Sequence, residues 1–316
     1  MAYQTGTFST LEQLLDALRV FAEANGWTTD TFANFRGGKW LGHHNADGVY
    51  LHWYSANNVP INPYSDNGKY AGNNLTRIVL HPATGYTPSV HPAWQPGVAV
   101  TASGSVYYSA TAGRQTLNSG RINTSGQYHF VAASGLLAVV IDCGYQRPGY
   151  FVVQKATLFS GGEVQYFINA GGGAGYINDE IASLPMVNLY SNDDNYFYNT
   201  DYFALFSGGA WNKKYRNLES NYPGSPSSPY ISGSTNRSSN DLWSLTQPSG
   251  VTGGRPLYRP ILFKRVSNIL RFDSFLPHVA MINPIGMAIG QEIQTTSGAW
   301  RVFPFDGIGL AIRSDL

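Results

Sequence analysis

Residues 126–170 read GQYHFVAASGLLAVVIDCGYQRPGYFVVQKATLFSGGEVQYFINA, and this stretch decides the fold. Its apolar material comes in short runs, Gln127–Ala132, Leu136–Asp142, Tyr150–Leu158 and Val164–Asn169, rich in β-branched and aromatic residues. Clusters of Gly, Pro, Ser or Asn bound each run. The best apolar piece, 135–141 (GLLAVVI), has the length of a strand and falls short of the roughly 18 residues that signal a membrane helix. Ser160-Gly161-Gly162 separates the last two runs and predicts a hairpin.

The same texture continues outward. Val49–Tyr54, Thr76–His81, Val98–Thr101 and Tyr107–Tyr108 precede the stretch. Arg259–Ser267, Ile269–Phe275 and Gly309–Arg313 follow it, with Gln291–Thr295 and Ala299–Pro304 flanking the turn signal Thr296-Ser297-Gly298. Turn signals recur at roughly 8–12-residue spacing, the pattern of a sandwich or barrel. One segment differs. Leu11, Leu14, Leu15, Leu18, Phe21 and Ala22 form a single stripe at helical spacing. Ser9 and Glu12 have capping-box spacing, and Asn25-Gly26 supplies a stop. The expected fold is mainly β, sandwich- or barrel-like, with one N-terminal amphipathic helix. The expected organisation is a helix over 1–26, a β domain over 27–170, a Tyr/Asn/Gly-rich insertion or elaborated loops over 171–258, and a C-terminal β segment over 259–316 that packs on the β domain. No repeat recurs at a period of about 20–50 residues.

Composition narrows the function. The chain has 316 residues, a formal net charge of +1, and 12% charged side chains. That charge is about half the usual share. Nucleic-acid binding needs a dense Lys/Arg footprint, which is missing, so no nucleic-acid partner is expected. One cysteine, Cys143, excludes an internal disulfide. Residues 1–10 carry neither a basic n-region nor an apolar run, so the expectation is a chain without a signal peptide, made in the cytoplasm. No membrane span is expected.

Constellations that carry chemistry are weak. Gly171–Gly175 follows a strand but fails the GxGxxG spacing and lacks the GK[ST] of a P-loop. His43, His44, Asp47 and His52 are ligand types for zinc, but Gly42 and Gly48 suggest a loop and the spacing fits no standard pattern. Asp193, Asp194 and Asp201 offer calcium-type oxygens without the DxDxDG order, and Asp is also a default turn residue. Neither group is assigned a metal, and no cofactor is expected. There is no GxSxG, Cys143 reads as an ordinary small thiol at the end of a strand, and nothing pairs Glu163, Asp179, Glu180 or Glu219 for glycoside hydrolysis. The chain is not expected to be an enzyme. The aromatic excess, with 21 Tyr and 7 Trp, suits protein interfaces, sugar stacking or simply a β core.

Three passages carry a resemblance. TFSTLEQLLDALRVFAEANGWT (7–28), GQYHFVAASGLLAVVIDCGYQRPGYFVVQKATLFSGG (126–162) and PHVAMINPIGMAIGQEIQTTSGAWRVFPF (277–305) with GIGLAIRSDL (307–316) resemble structural proteins of tailed-bacteriophage virions. The resemblance implies a tail, baseplate or neck component whose function is assembly. Its partners would be other virion proteins and further copies of itself, around a symmetric ring. It brings no active-site residues with it.

The expected function is therefore a non-enzymatic virion subunit that connects or terminates tail or baseplate components. A host-surface glycan-binding or depolymerase tail protein, and a capsid decoration or head-fibre protein, are the alternatives. A low-charge surface rich in Tyr, Asn, Ser and Gly suits being covered by neighbours. The candidate assembly residues are Tyr190, Tyr196, Tyr198, Tyr202, Trp211 and Tyr222, joined by Leu14, Leu18 and Phe21 if the helix docks outward rather than on its own β domain.

Overall fold

The computed structural model describes residues 1–35, 38–44, 50–56, 77–85, 87, 96, 117–118, 122–145, 148–158, 165–172, 203–207, 210–213, 229–231, 247–252, 255–259, 261–266, 269–305 and 308–315. This part is mainly β, with antiparallel sheets and one helix near the N-terminus.

The chain opens with β1 (Ala2–Phe8), a strand that the sequence did not advertise, and continues into α1 (Leu11–Ala24). The cap differs from expectation by one residue. Thr10, extended at φ −142°, is the N-cap, and its hydroxyl accepts from the Gln13 amide at 3.2 Å. Gln13 Oε1 in turn accepts from the backbone and hydroxyl of Ser9, both at 2.8 Å. Thr10 thus caps the Gln13 amide, while the Gln13 side chain reaches back one residue further, to Ser9, so the expected Ser9–Glu12 box does not form. The C-terminus is a Schellman turn. Gly26, at φ +86°, donates to Glu23 O, and Trp27 donates to Ala22 O at 3.0 Å.

β2 (Thr28–Phe35), β3 (Gly38–His44), β4 (Tyr50–Ala56), β5 (Arg77–Ala83) and β6 (Leu117–Asn118) form a five-stranded antiparallel sheet in that order. Sequence reading took the Gly42 region for a loop; His43 and His44 instead lie in β3 and His52 in β4. Polar, Gly-containing strands such as these hold through their neighbours rather than their own propensity. Val98–Thr101 and Tyr107–Tyr108 lie outside the described residues.

Residues 126–172 form the middle strands of the largest sheet. β7 (Gly126–Ala133), β8 (Leu136–Asp142), β9 (Gly149–Leu158) and β10 (Gln165–Gly172) are consecutive antiparallel neighbours. β11 (Phe203–Ser207) and β12 (Ala210–Lys213) extend that sheet on one side, and β1 pairs with β7 on the other. β13 (Pro229–Ile231) joins the same sheet further along, through strands described below. The expected hairpin of β9 and β10 is present, with Gln165 opposite Ala156.

A second, six-stranded sheet comprises β14 (Gln247–Thr252), β15 (Arg255–Arg259), β18 (Val279–Ile282), β21 (Ile308–Arg313), β20 (Gly298–Phe305) and β19 (Gln291–Thr295), in that spatial order. β16 (Ile261–Val266) and β17 (Ile269–Phe275) pair with each other; β13 lies on β16, and the end of β17 lies on β9. The β19–β20 hairpin turns at Thr296-Ser297 as expected, with Thr295 Oγ1 donating to Gly298 O at 2.8 Å.

Strand alternation sends the central sheet's side chains into two cores. Phe130, Ala132, Leu137, Val139, Phe151 and Val153 pack with Leu11, Leu14, Leu15, Leu18 and Phe21 of α1 and with Ile78 of β5. The intervening residues Val131, Leu136, Ala138, Val140, Tyr150 and Val152 pack on Val279, Met281, Phe303, Phe305, Leu310 and Ile312 of the second sheet. β8 is thus buried on both faces, which is why it reads as an unbroken apolar run. A third cluster (Leu257, Ala280, Ile282, Trp300, Val302 and Ala311) fills the other face of the second sheet, whose outer strands β14 and β19 come together.

Candidate functional site

The most developed polar arrangement among the described side chains lies where the N-terminal strand meets the second sheet. β1 contributes Tyr3, β7 His129, β19 Glu292 and β20 Arg301. Inward alternation on β7 places His129 beside Val131 on the face toward the second sheet, where it is 3% exposed. The Tyr3 hydroxyl is hydrogen-bonded to His129 Nδ1 at 2.8 Å. The Arg301 guanidinium carbon lies 3.8 Å from the centre of the Tyr3 ring, a cation–π geometry. Arg301 also pairs with Glu292 at 3.0 Å and donates to Gly290 O at 3.2 Å.

Gly290 is required at this point. It stands at φ +73°, and a Cβ there would sit 3.0 Å from the Tyr3 hydroxyl and 3.1 Å from His129 Nδ1. Phe303 closes the imidazole edge-on at 5.5 Å. Burial holds the His129 pKa below its ordinary 6.5; the Asp142 charge opposes that shift and the Arg301 charge adds to it. The imidazole is thus neutral at neutral pH and enclosed, while the charge of Arg301 is balanced by Glu292. As arranged, the four residues act as a latch that joins the first strand to the β19–β20 hairpin.

Cys143 follows β8 and is half-buried. Its Sγ accepts from the Asn123 amide at 3.3 Å, and burial pushes the thiol pKa up, which disfavours the nucleophilic thiolate. Among residues with described side chains, no three of His, Cys, Asp or Glu gather as a metal-holding group.

The candidate assembly residues separate into two sets. Leu14 and Leu18 are fully buried and Phe21 nearly so, in the core that α1 shares with the central sheet. Outward docking was the condition for their role, and the helix instead spends its apolar stripe on its own sheet, the usual fate of such a stripe. Of the aromatic set, Trp211 lies in β12, opposite Phe206 of β11. Tyr190, Tyr196, Tyr198, Tyr202 and Tyr222 lie outside the described residues, as do Asp47, Glu163, Asp179, Glu180, Asp193, Asp194, Asp201 and Glu219. Gly171 and Gly172 close β10, opposite Tyr150 and Gly149.

Sequence reading missed the latch. Tyr3 and His129 are 126 positions apart, and no local pattern pairs them. The one available signal was Arg301, a charge between apolar neighbours in AWRVFPF. No protein-family model matches the chain. No curated protein matches it either.

Proposed function

We propose that the chain is a non-enzymatic structural subunit of a tailed-phage virion that connects or terminates tail or baseplate components. It acts as one of several copies around a symmetric ring. The observation that supports this reading most is where the three virion-like passages lie. They are scattered along the sequence, yet β1 pairs with β7, α1 packs on the central sheet, and the second sheet packs on its other face. The passages that carry the resemblance thus belong to one packed unit, read here as sandwich- or barrel-like. Within the aromatic-rich 171–258 segment, β11 and β12 extend the central sheet beyond β10, and β14 belongs to the second sheet. A rigid platform bearing a Tyr-, Asn- and Gly-rich segment is what a subunit covered by its neighbours needs.

The test is complementation of a phage lacking this gene. Wild-type chain should restore infective particles. A variant with Tyr190, Tyr196, Tyr198, Tyr202, Trp211 and Tyr222 all changed to Ala should fold alone, by circular dichroism and melting temperature, yet fail to enter particles. Normal incorporation of that variant would remove the aromatic interface, and intact infective particles without the chain would remove the virion role.

A further inference from the structure

The end strands of the sheets are guarded unequally. An end strand leaves one row of backbone N–H and C=O groups open to another chain, and proteins blunt such edges with charges, proline, bulges or brevity. β2 carries Asp30 and loses register between Phe32 and Phe35. β6 has two residues, and β13 has three and opens on Pro229. β12 ends on Lys213. β14 contains Pro248 with a register shift beside it, and β19 carries Glu292. β1 has none of these devices. Its seven residues, AYQTGTF, include no charge and no proline, and they pair with β7 in unbroken register from Ala2 to Phe8. Among the described strands β7 is its one neighbour, so the other edge of β1 faces no described strand. Thr5 and Thr7 are exposed, while the hold of Tyr3 on His129 and Arg301 keeps the strand in place.

We propose that the outer edge of β1 pairs with the same edge of a second copy of this chain, antiparallel about a two-fold axis at Thr5. The strand is complementary to itself. Only a two-fold at Thr5 matches all seven residues, and it sets Thr5 opposite Thr5, Tyr3 opposite Thr7, Gln4 opposite Gly6 and Ala2 opposite Phe8. Thr–Thr and aromatic–β-branched pairs are favourable cross-strand contacts, and here no like charges meet. Residues directly opposite share a face. The Ala2 and Phe8 face, which packs on the α1 core, therefore meets the same face of the other copy, and the central sheet runs on through both. The edge offers no charge for an acidic or basic partner to read, and backbone pairing supplies the contact instead. An interface one strand wide is smaller than the standard size, so the association is weak and concentration-dependent. The two-fold contact is isologous and does not rest on the virion reading.

The test is analytical ultracentrifugation of the untagged full chain, loaded from about 5 to 500 μM to bracket the weak affinities of a small interface. Wild type should pass from monomer to dimer across that range. Thr5→Lys and Thr5→Glu each set like charges opposite one another and should weaken dimerisation by at least about 10-fold. An equimolar mixture of the two variants sets Lys opposite Glu and should restore it. Val20→Lys, on the exposed side of α1, should dimerise as wild type does. Thr5 Oγ1 also donates to Tyr128 O at 2.9 Å, so circular dichroism of each variant separates a lost contact from a lost fold. If a charge variant unfolds, Thr5→Cys in a Cys143→Ser background decides: a short bismaleimide should join two copies there and fail to join them through Val20→Cys. A wild type that stays monomeric overturns the proposal. So does a Thr5→Lys variant that associates as wild type does, or a mixture of the charge variants that does not recombine.

Discussion

Burial and the Arg301 charge both disfavour the imidazolium of His129, so acid acts on the fold through this residue. With the folded pKa below 6.5, the unfolded chain binds the proton more readily. The contribution of neutral His129 is fully present above about pH 6.5 and is lost as the pH falls through the folded value. Urea unfolding at about pH 7.5 and 5 should therefore give a lower midpoint at the lower pH, and His129→Gln should flatten that difference; an unchanged difference in the variant would place the acid sensitivity elsewhere. Gln154 makes a second prediction. It is fully buried on the β9 face toward the second sheet, and neither end of its amide has a hydrogen-bond partner among the described residues. Gln154→Met keeps the length and removes the desolvated amide, and should raise stability by about 1 kcal/mol in the same assay. A loss of stability would mean that the amide is satisfied by a group beyond those described.

The helix shows what an element gains from its setting. Leu14, Leu15 and Leu18 are fully buried, whereas Val20 on the opposite side is 54% exposed. Leu18→Ala should cost about 2–5 kcal/mol and Val20→Ala less than about 0.5 kcal/mol, read from paired denaturation curves. Gly26→Ala should cost on the order of 1 kcal/mol, because the Schellman turn needs its positive φ and no neighbour lies near enough to compensate. Elements like α1, β8 and the β19–β20 hairpin were legible in sequence because their signals are local: a 3.6-residue stripe, an unbroken apolar run, a Gly-ended turn. β1, β2 and β3 were not. Ala2–Phe8 holds two hydrophobic aromatics among Thr, Gln and Gly, and becomes a strand because β7 offers it seven backbone partners. The latch shares that origin, since it depends on which strand lies beside which. The His43/His44/His52 grouping is visible as residue types, but only the strand register shows that His43 alternates with the other two.

For the whole molecule, the described packing forms a closed interior, and β11–β15 add strands to its sheets. Both faces of β7, β8 and β9 are spent on the chain's own cores, and so are both faces of the second sheet. The helix stripe offers nothing to a neighbour while the fold is intact, which shifts the weight of any assembly contact to the aromatic set within 171–258. Cryo-electron microscopy of the particles proposed to contain this chain is the decisive measurement. The account predicts copies of this fold in a symmetric ring of the tail or baseplate, with residues 190–222 buried against another chain and α1 still packed on its own sheet. A particle whose density and protein content lack the chain altogether would contradict it.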